Sequence, residues 1–235
     1  MDSIKLNCSN KPLMIAHRGL SGIKLENTIE AFKLASEHSY FGIETDVHLT
    51  KDKKLVVSHD DNMLRNSGVD MNIEQSLYED VKKIPLYNGE YVPDLEDYIS
   101  ICKEASKKAV LELKSSMSKE ELQQCINAIE KLGYIDNTII ISFDPNNIAI
   151  VNEISNVKTQ FLCNLSNRLE MYFAIYFAKH QKCDVDVNYI NCTKFFVDEC
   201  HKNGVKVNVY TVDTIEDAQR MIEYGVDYIT SNILE

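Results

Sequence analysis

Four short runs of the sequence bring reactive side chains together at spacings chemistry can use: His17-Arg18-Gly19, Glu44-x-Asp46-x-His48, His59-Asp60 and Glu112-x-Lys114. In an extended chain side chains return to the same face every second residue, so Glu44, Asp46 and His48 share one face, and Glu112 and Lys114 share another. Both sets sit in otherwise apolar segments, GIETDVHL (42–49) and AVLEL (109–113). A lone carboxylate buried there would cost several kcal/mol or more. Three carboxylates from neighbouring strands, Glu44, Asp46 and Glu112, can instead share one divalent cation. With oxygen ligands and no thiolate, Mg²⁺ or Ca²⁺ is favoured over a closed zinc site. Two histidines, His17 and His59, beside such an ion and an arginine suit a phosphoryl substrate: one base, one acid and a fixed charge for the oxygens.

The elements that must position these groups alternate from end to end. Strand-like runs at 13–16, 42–49, 109–113, 138–143, 159–163, 183–187, 205–210 and 226–230 are separated by helical patterns. The helical patterns fall at 26–38, from Asp94 onward, at 121–132, after Asp144-Pro145, and at 168–179, 193–203 and 215–224. Gly133, Gly204 and Gly225 mark helix ends where a strand begins. LVVSH (55–59) follows the second strand too closely for a parallel crossover, so it must fold back as a hairpin arm. A two-residue loop at Asp52-Lys53 would set His59 opposite Asp46 at the open end. Eight strand–helix units in 235 residues predict a (β/α)8 TIM barrel of the α/β class, with its reactive groups at the C-terminal ends of the strands. A doubly wound open sheet is the competitor, and its glycine-rich phosphate loop is missing. The few residues after 230 leave the eighth helix short or absent. Residues 60–93, with Gly68, Pro85, Gly89 and Pro93, read as a small insertion after the second strand. Asp94 and Asp97 resemble a capping box, and Glu26-Asn27-Thr28 reads as the cap of the first helix. No linker divides the chain, so 1–235 is expected to be a single domain.

Composition bounds the partners. With 25 Lys+Arg against 36 Asp+Glu the formal charge is −11, which disfavours nucleic acid and basic attachment to anionic lipid. No apolar run reaches membrane-spanning length, and the N-terminus lacks the pattern of a signal peptide. Cysteines 8, 102, 125, 163, 183, 192 and 200 form no CxxC pair and read as buried apolar residues of a reduced compartment, which predicts a cytoplasmic protein without stable membrane anchoring. His38, His180 and His201 read as structural, and Asp184-x-Asp186 as a weaker copy of the carboxylate pattern. Oligomeric state is not legible.

The chain resembles the glycerophosphodiester phosphodiesterases in HRG (17–19), ENT (26–28), ETDVHLT (44–50), VVSHD (56–60), VPDLEDYI (92–99) and LELK (111–114). A weaker match follows in Ile141-Ser142-Phe143, VNVYTVDT (207–214) and GVDYIT (225–230). The resemblance implies a metal-dependent hydrolase of glycerol and lipid metabolism. It would convert small glycerophosphodiesters, such as glycerophosphocholine or glycerophosphoethanolamine, to glycerol 3-phosphate and an alcohol. It also implies that the glycerol 2-hydroxyl attacks phosphorus to give a cyclic phosphate. By the same carry-over Glu44, Asp46 and Glu112 hold the metal, His17 and His59 form the acid–base pair, and Arg18 and Lys114 contact phosphate oxygens. Phe143 and Tyr210 line the substrate pocket; Tyr210 stands where the family usually has tryptophan. Lys53 replaces a hairpin glycine, and Leu25, Ser231 and Ile233 depart from the pattern outside the reactive set. Two other readings stay open: a barrel acting on lysophospholipid or sphingolipid, and a non-catalytic barrel that binds a phosphoester.

Overall fold

The computed structural model describes residues 2–8 and 10–235. The chain begins with β1 (Leu13–Ala16), α1 (Ile29–Ser36), β2 (Gly42–Leu49) and β3 (Leu55–Val57), then two single-turn helices, α2 (Leu64–Ser67) and α3 (Tyr78–Val81). It continues through α4 (Leu95–Glu104), β4 (Lys108–Leu113), α5 (Lys119–Lys131), β5 (Thr138–Ser142), α6 (Pro145–Ile154) and β6 (Lys158–Cys163). It ends with α7 (Arg168–Gln181), β7 (Asp184–Asn188), α8 (Lys194–Lys202), β8 (Val207–Tyr210), α9 (Ile215–Tyr224) and β9 (Tyr228–Ser231). Around the sheet the order is β1, β9, β8, β7, β6, β5, β4, β2, and β1 pairs with β2 to close it. All these neighbours run parallel, so eight strands form the expected TIM barrel, while β3 pairs antiparallel outside the ring. Residues 232–235 form no helix; Leu234 pairs with Ile4 instead.

Two layers of packing follow from strand alternation. Ile15, Val110, Ile139, Ile141, Leu162 and Tyr228 fill the inside of the barrel. Ala16, Ile43, Val47, Leu111, Leu113, Val185 and Val209 point outward into the larger core beneath the helices. Tyr98 of α4 crosses into that layer and donates its hydroxyl to the Ile43 carbonyl at 2.6 Å, which ties the helix to the strand that carries the acidic residues. Residues 60–93 enclose a core of their own, Met63, Ile73, Val81, Ile84, Leu86 and Val92 against Val56.

Several boundaries move for identifiable reasons. β7, β8 and β9 begin later than their apolar runs because the amides of Cys183, Val205 and Val226 bond back to Ala178, Cys200 and Met221, five residues earlier. That is the 6→1 bond of a helix C-terminal motif, and it takes those residues out of the sheet. Gly204 and Gly225 adopt the left-handed conformation this requires, while Lys182 adopts it without being glycine. The first helix spans only 29–36, because Thr28 caps it by accepting from the Ala31 amide, and Glu26 and Asn27 turn toward the barrel mouth. Cys8 is exposed, unlike the buried cysteines of the core.

The hairpin register is also corrected. Val47 pairs with Val57, His48 with Val56 and Leu49 with Leu55, so Asp46 meets Ser58, whose amide donates to the Asp46 carbonyl at 3.0 Å. Lys53 takes a left-handed φ of 61°, which makes the loop three residues long instead of two. His59 still reaches the barrel mouth because β3 stops at Val57 and the chain bends there.

The Glu235 side chain gives a prediction at the opposite end. Its carboxylate accepts from Ser3 Oγ at 2.7 Å and from the Ser39 amide at 2.7 Å, and faces His38 Nδ1 at 3.3 Å. Burial opposes its charge, but these donors hold its carboxyl down at about 2. A folded-state value below the ordinary one stabilises the protein above the ordinary value and is lost as pH falls through it. Glu235→Gln is expected to cost about 1–2 kcal/mol at neutral pH. In urea denaturation at a series of pH values, the deficit against wild type should shrink as pH drops from 4.5 toward 2.

Candidate active site

The parallel register sets Asp46 beside Glu112 and Glu44 beside Val110, so the inward faces of β2 and β4 carry three carboxylates at one level. β1 runs one strand over with Ala16 beside Ile43, which brings His17 next to Glu44; His17 Nε2 lies 4.0 Å from Glu44 Oε2. Gly19 makes this approach possible. A Cβ there would lie 2.7 Å from the Ala31 backbone. The tight turn points the Arg18 amide at Glu44 Oε2, 2.8 Å away.

All three carboxylates are buried, and one oxygen from each lies within 4.8 Å of the others. Their charges compete. Burial and the neighbouring Asp46 and Glu112 push Glu44 well above the usual carboxylate range, and burial with Asp46 pushes Glu112 up to about 7. Burial acts on Asp46 in the same sense, but Arg18, Lys114 and His59 overcome it and hold its carboxyl below the ordinary value. Asp46 Oδ1 is buried without a hydrogen-bond partner. An acceptor left unmade in a ring of mutually repelling carboxylates fits a divalent cation, whose charge would relieve the repulsion. The donor set, oxygen only, suits a hard cation.

Lys114 Nζ lies 2.9 Å from Glu112 Oε1 and 3.5 Å from Asp46 Oδ1. Arg18 Nη1 donates to both oxygens of Glu26 at 3.0 and 3.1 Å, and its Nε lies 3.4 Å from Asp46 Oδ2. Asn27 supports the cluster from behind, donating to Asp46 Oδ2 at 2.9 Å while accepting from Thr45 Oγ1 at 2.7 Å. Glu26 and Asn27 thus do more than precede the cap. Their neighbours in the sequence signalled a helix start, which hid their part at the mouth.

The two histidines are held by different partners. His17 Nδ1 lies 2.7 Å from Asn232 Oδ1, and Asn232 Nδ2 donates to Asp213 Oδ2 at 2.6 Å. Asp213 can only accept, so the amide orientation is fixed and Oδ1 must receive the His17 Nδ1 proton. In neutral His17 the Nε2 lone pair is then left facing the carboxylates. Burial and Arg18 lower the His17 pKa to about 4, so that neutral form is the resident one. His59 Nδ1 lies 2.6 Å from Asp60 Oδ1, a carboxylate that Arg65 holds down at about 2. Desolvation and the nearby cations lower the His59 pKa as well, against the pull of Asp46 and Asp60. His48 does not line the mouth. It faces Glu74 at 2.9 Å and its Nε2 donates to the His59 carbonyl at 3.0 Å, fixing the bend that presents His59. His38, His180 and His201 lie elsewhere, against Glu235, Tyr176 and Asp227.

A cavity of about 400 Å³ opens above these groups, lined by His17, Arg18, Glu44, His59, Glu112 and Lys114 on one side and by Phe143, Tyr189 and Tyr210 on the other. Phe143 and Tyr210 meet edge to face, with centroids 6.1 Å apart. Asp186 of β7 forms part of the wall; its Oδ1 is buried without a partner, and burial with Glu112 pushes its carboxyl well up. The sequence pattern at Asp184 and Asp186 gave a weak signal for it. Asn232, Asp213 and Asp60 gave none beyond Asp60 following His59.

The family model of the glycerophosphoryl diester phosphodiesterase family matches residues 17–234. A glycerophosphodiester phosphodiesterase of Caldanaerobacter subterraneus subsp. tengcongensis is 32% identical over 237 residues, covering 94% of each chain. The crystal structure of a glycerophosphodiester phosphodiesterase from Parabacteroides distasonis superposes with a TM-score of 0.82 at 27% identity, over 96% of this chain and 94% of that one. A phosphodiesterase of Oleispira antarctica, solved in complex with the product sn-glycerol-3-phosphate, shares the fold with a TM-score of 0.82 at 20% identity, over 95% of this chain and 94% of that one.

Proposed function

The chain belongs to the glycerophosphoryl diester phosphodiesterase family, a family of phosphoric diester hydrolases, and from that premise we propose that it hydrolyses small glycerophosphodiesters to glycerol 3-phosphate and a free alcohol. The observation that carries this reading is the buried triad of Glu44, Asp46 and Glu112 between two histidines whose Nδ1 atoms are both tied back. Glu44, Asp46 and Glu112 would hold one divalent cation, Mg²⁺ or Ca²⁺, which supplies positive charge for a phosphoryl oxygen and an oriented site for the glycerol oxygens. Arg18 and Lys114 bind the remaining phosphate oxygens, Arg18 through the Nη2 hydrogens that its contacts with Glu26 and Asp46 leave over. Phe143 and Tyr210 receive the alcohol end. The product bound by the Oleispira antarctica protein, sn-glycerol-3-phosphate, is the one this reaction would release.

Proton transfer divides between the histidines by their partners. His17, with Nδ1–H given to Asn232, accepts a proton at Nε2 from the glycerol 2-hydroxyl as that oxygen bonds to phosphorus. His59, whose Nδ1–H is held by Asp60, gives its Nε2 proton to the departing alkoxide as the P–O bond breaks. Water then opens the cyclic phosphate with the two roles reversed. Residues 60–93 belong to the same catalytic domain, since they carry Arg65, which orients Asp60. The seven free cysteines fit a reducing compartment, the cytoplasm.

The test is release of glycerol 3-phosphate from glycerophosphocholine and glycerophosphoethanolamine by the purified protein with Mg²⁺ or Ca²⁺ present. Turnover of these soluble diesters above that of micellar lysophosphatidylcholine is the expected result; the opposite order would overturn the substrate assignment. Arg18→Lys keeps the charge but loses the fixed donor directions of the guanidinium and its hold on Glu26, and should raise KM about tenfold with a smaller effect on kcat. An unchanged KM in steady-state assays would remove Arg18 from the phosphate site.

A further inference from the structure

The cavity has two walls of unlike chemistry. On one, Arg18 and Lys114 answer the carboxylates of β2 and β4. On the other stands Asp186, 2% exposed, with Oδ1 buried and unpartnered. Three strands separate β7 from β2 in either direction around the ring, so the two face each other across the lumen. A barrel of this kind rises by about one residue per strand. Followed from Glu44 through the strand registers, that rise completes its layer with Ile141, Asp186 and Thr230, and sets Leu162 and Tyr210 in the layer above. Asp186 therefore lies on the cavity floor, opposite Glu44 and beneath the aromatic wall. Its neighbours supply no donor. The two amide hydrogens of Asn208 on β8 go to Gln160 Oε1 at 3.3 Å and Thr230 Oγ1 at 3.1 Å, and the Thr230 hydroxyl returns to Asn208 Oδ1 at 3.3 Å. Leu162, beside it on β6, is apolar. Among the described residues no Lys, Arg or His acts on its charge. A buried acceptor left open in a substrate cavity calls for a donor carried by the ligand.

Resting on the hydrolase reading above, we infer that Asp186 is a specificity-determining residue that binds the primary ammonium of an amino-alcohol headgroup. With phosphorus held at Arg18 and Lys114, the short carbon arm of such an alcohol crosses the lumen toward β7. An N–H of the ammonium fills the open acceptor at Oδ1, and its charge is met by the carboxylate and by the rings of Phe143 and Tyr210. Burial and Glu112 oppose charge on Asp186 in the empty pocket, and a cation set against it offsets both. A polyol headgroup would fill the acceptor without bringing charge. A quaternary ammonium would bring charge without the donor.

Steady-state release of glycerol 3-phosphate from glycerophosphoethanolamine and from glycerophosphoglycerol, whose headgroup is a small neutral polyol, tests this. The wild-type kcat/KM for the ammonium substrate is expected to exceed that for the polyol by about tenfold or more, with the difference mainly in KM. In Asp186→Asn, isosteric and uncharged, and in Asp186→Ala, the two values should come within about threefold of each other. Each protein is its own control through this ratio, so a general loss of activity in a variant does not imitate the effect. Equal use of both diesters by the wild type, or a preference that survives both substitutions, would overturn the role of Asp186 and leave the hydrolase reading standing. A wild-type preference for the polyol would also overturn it and assign the open acceptor to a hydroxyl. Release from neither substrate by the folded wild type would overturn both readings together.

Discussion

Glu44→Gln is expected to lower turnover of a glycerophosphodiester by roughly 10³-fold at saturating Mg²⁺ or Ca²⁺ while leaving the barrel folded. The substitution is isosteric and keeps an oxygen that can accept from the Arg18 amide, so the turn after β1 survives. What is lost is one of three charges at the point where Glu44, Asp46 and Glu112 converge. Burial and its two neighbours also oppose the ionisation of Glu44. Without a cation, the variant should therefore unfold no earlier than wild type, and a rise of about 1 kcal/mol is consistent with relief of that repulsion. Activity and thermal denaturation measured on the same preparation separate the two effects. Turnover within threefold of wild type would remove Glu44 from the ion site.

The second large effect belongs to the histidines. His17→Ala and His59→Ala should each reduce kcat/KM by about 10²–10⁴, and the double variant should be little worse than the poorer single one, because the two act in one concerted transfer. A change of substrate separates their roles. A nitrophenyl ester of glycerol phosphate has a leaving group that departs without a proton. The His59 variant should recover most of its loss on that substrate, and the His17 variant should not. The reverse pattern would exchange the acid and base assignments drawn from Asn232 and Asp60.

How much of this was legible in the sequence depended on how far apart the interacting residues lie. Glu44 with Asp46, and Glu112 with Lys114, were readable because a strand's two-residue repeat is local and charges in an apolar strand need a reason. The eight strands were readable because each buried run is bounded by a helix of adequate length. The hairpin was misjudged by one residue, since a left-handed lysine at position 53 is not signalled by its side chain. Asn232 and Asp213 were not legible as partners of His17: 215 residues separate His17 from Asn232, and only closure of the barrel between β9 and β1 brings them together. Asp186 stood out only weakly, because its place in the cavity wall follows from the sheet's curvature. Glu26 and Asn27 were obscured by the helix start beside them.

The measurement that bears most directly on the whole account is glycerol 3-phosphate release from glycerophosphocholine after exhaustive chelation, followed by stepwise return of Mg²⁺ or Ca²⁺, for wild type and Glu44→Gln in parallel. The account predicts that wild-type release falls to background on chelation and returns with one of the two ions, and that the variant stays near background at ion concentrations that saturate wild type. Full activity in the chelated, folded protein would contradict it, because the buried carboxylates of β2 and β4 would then have no part in the reaction.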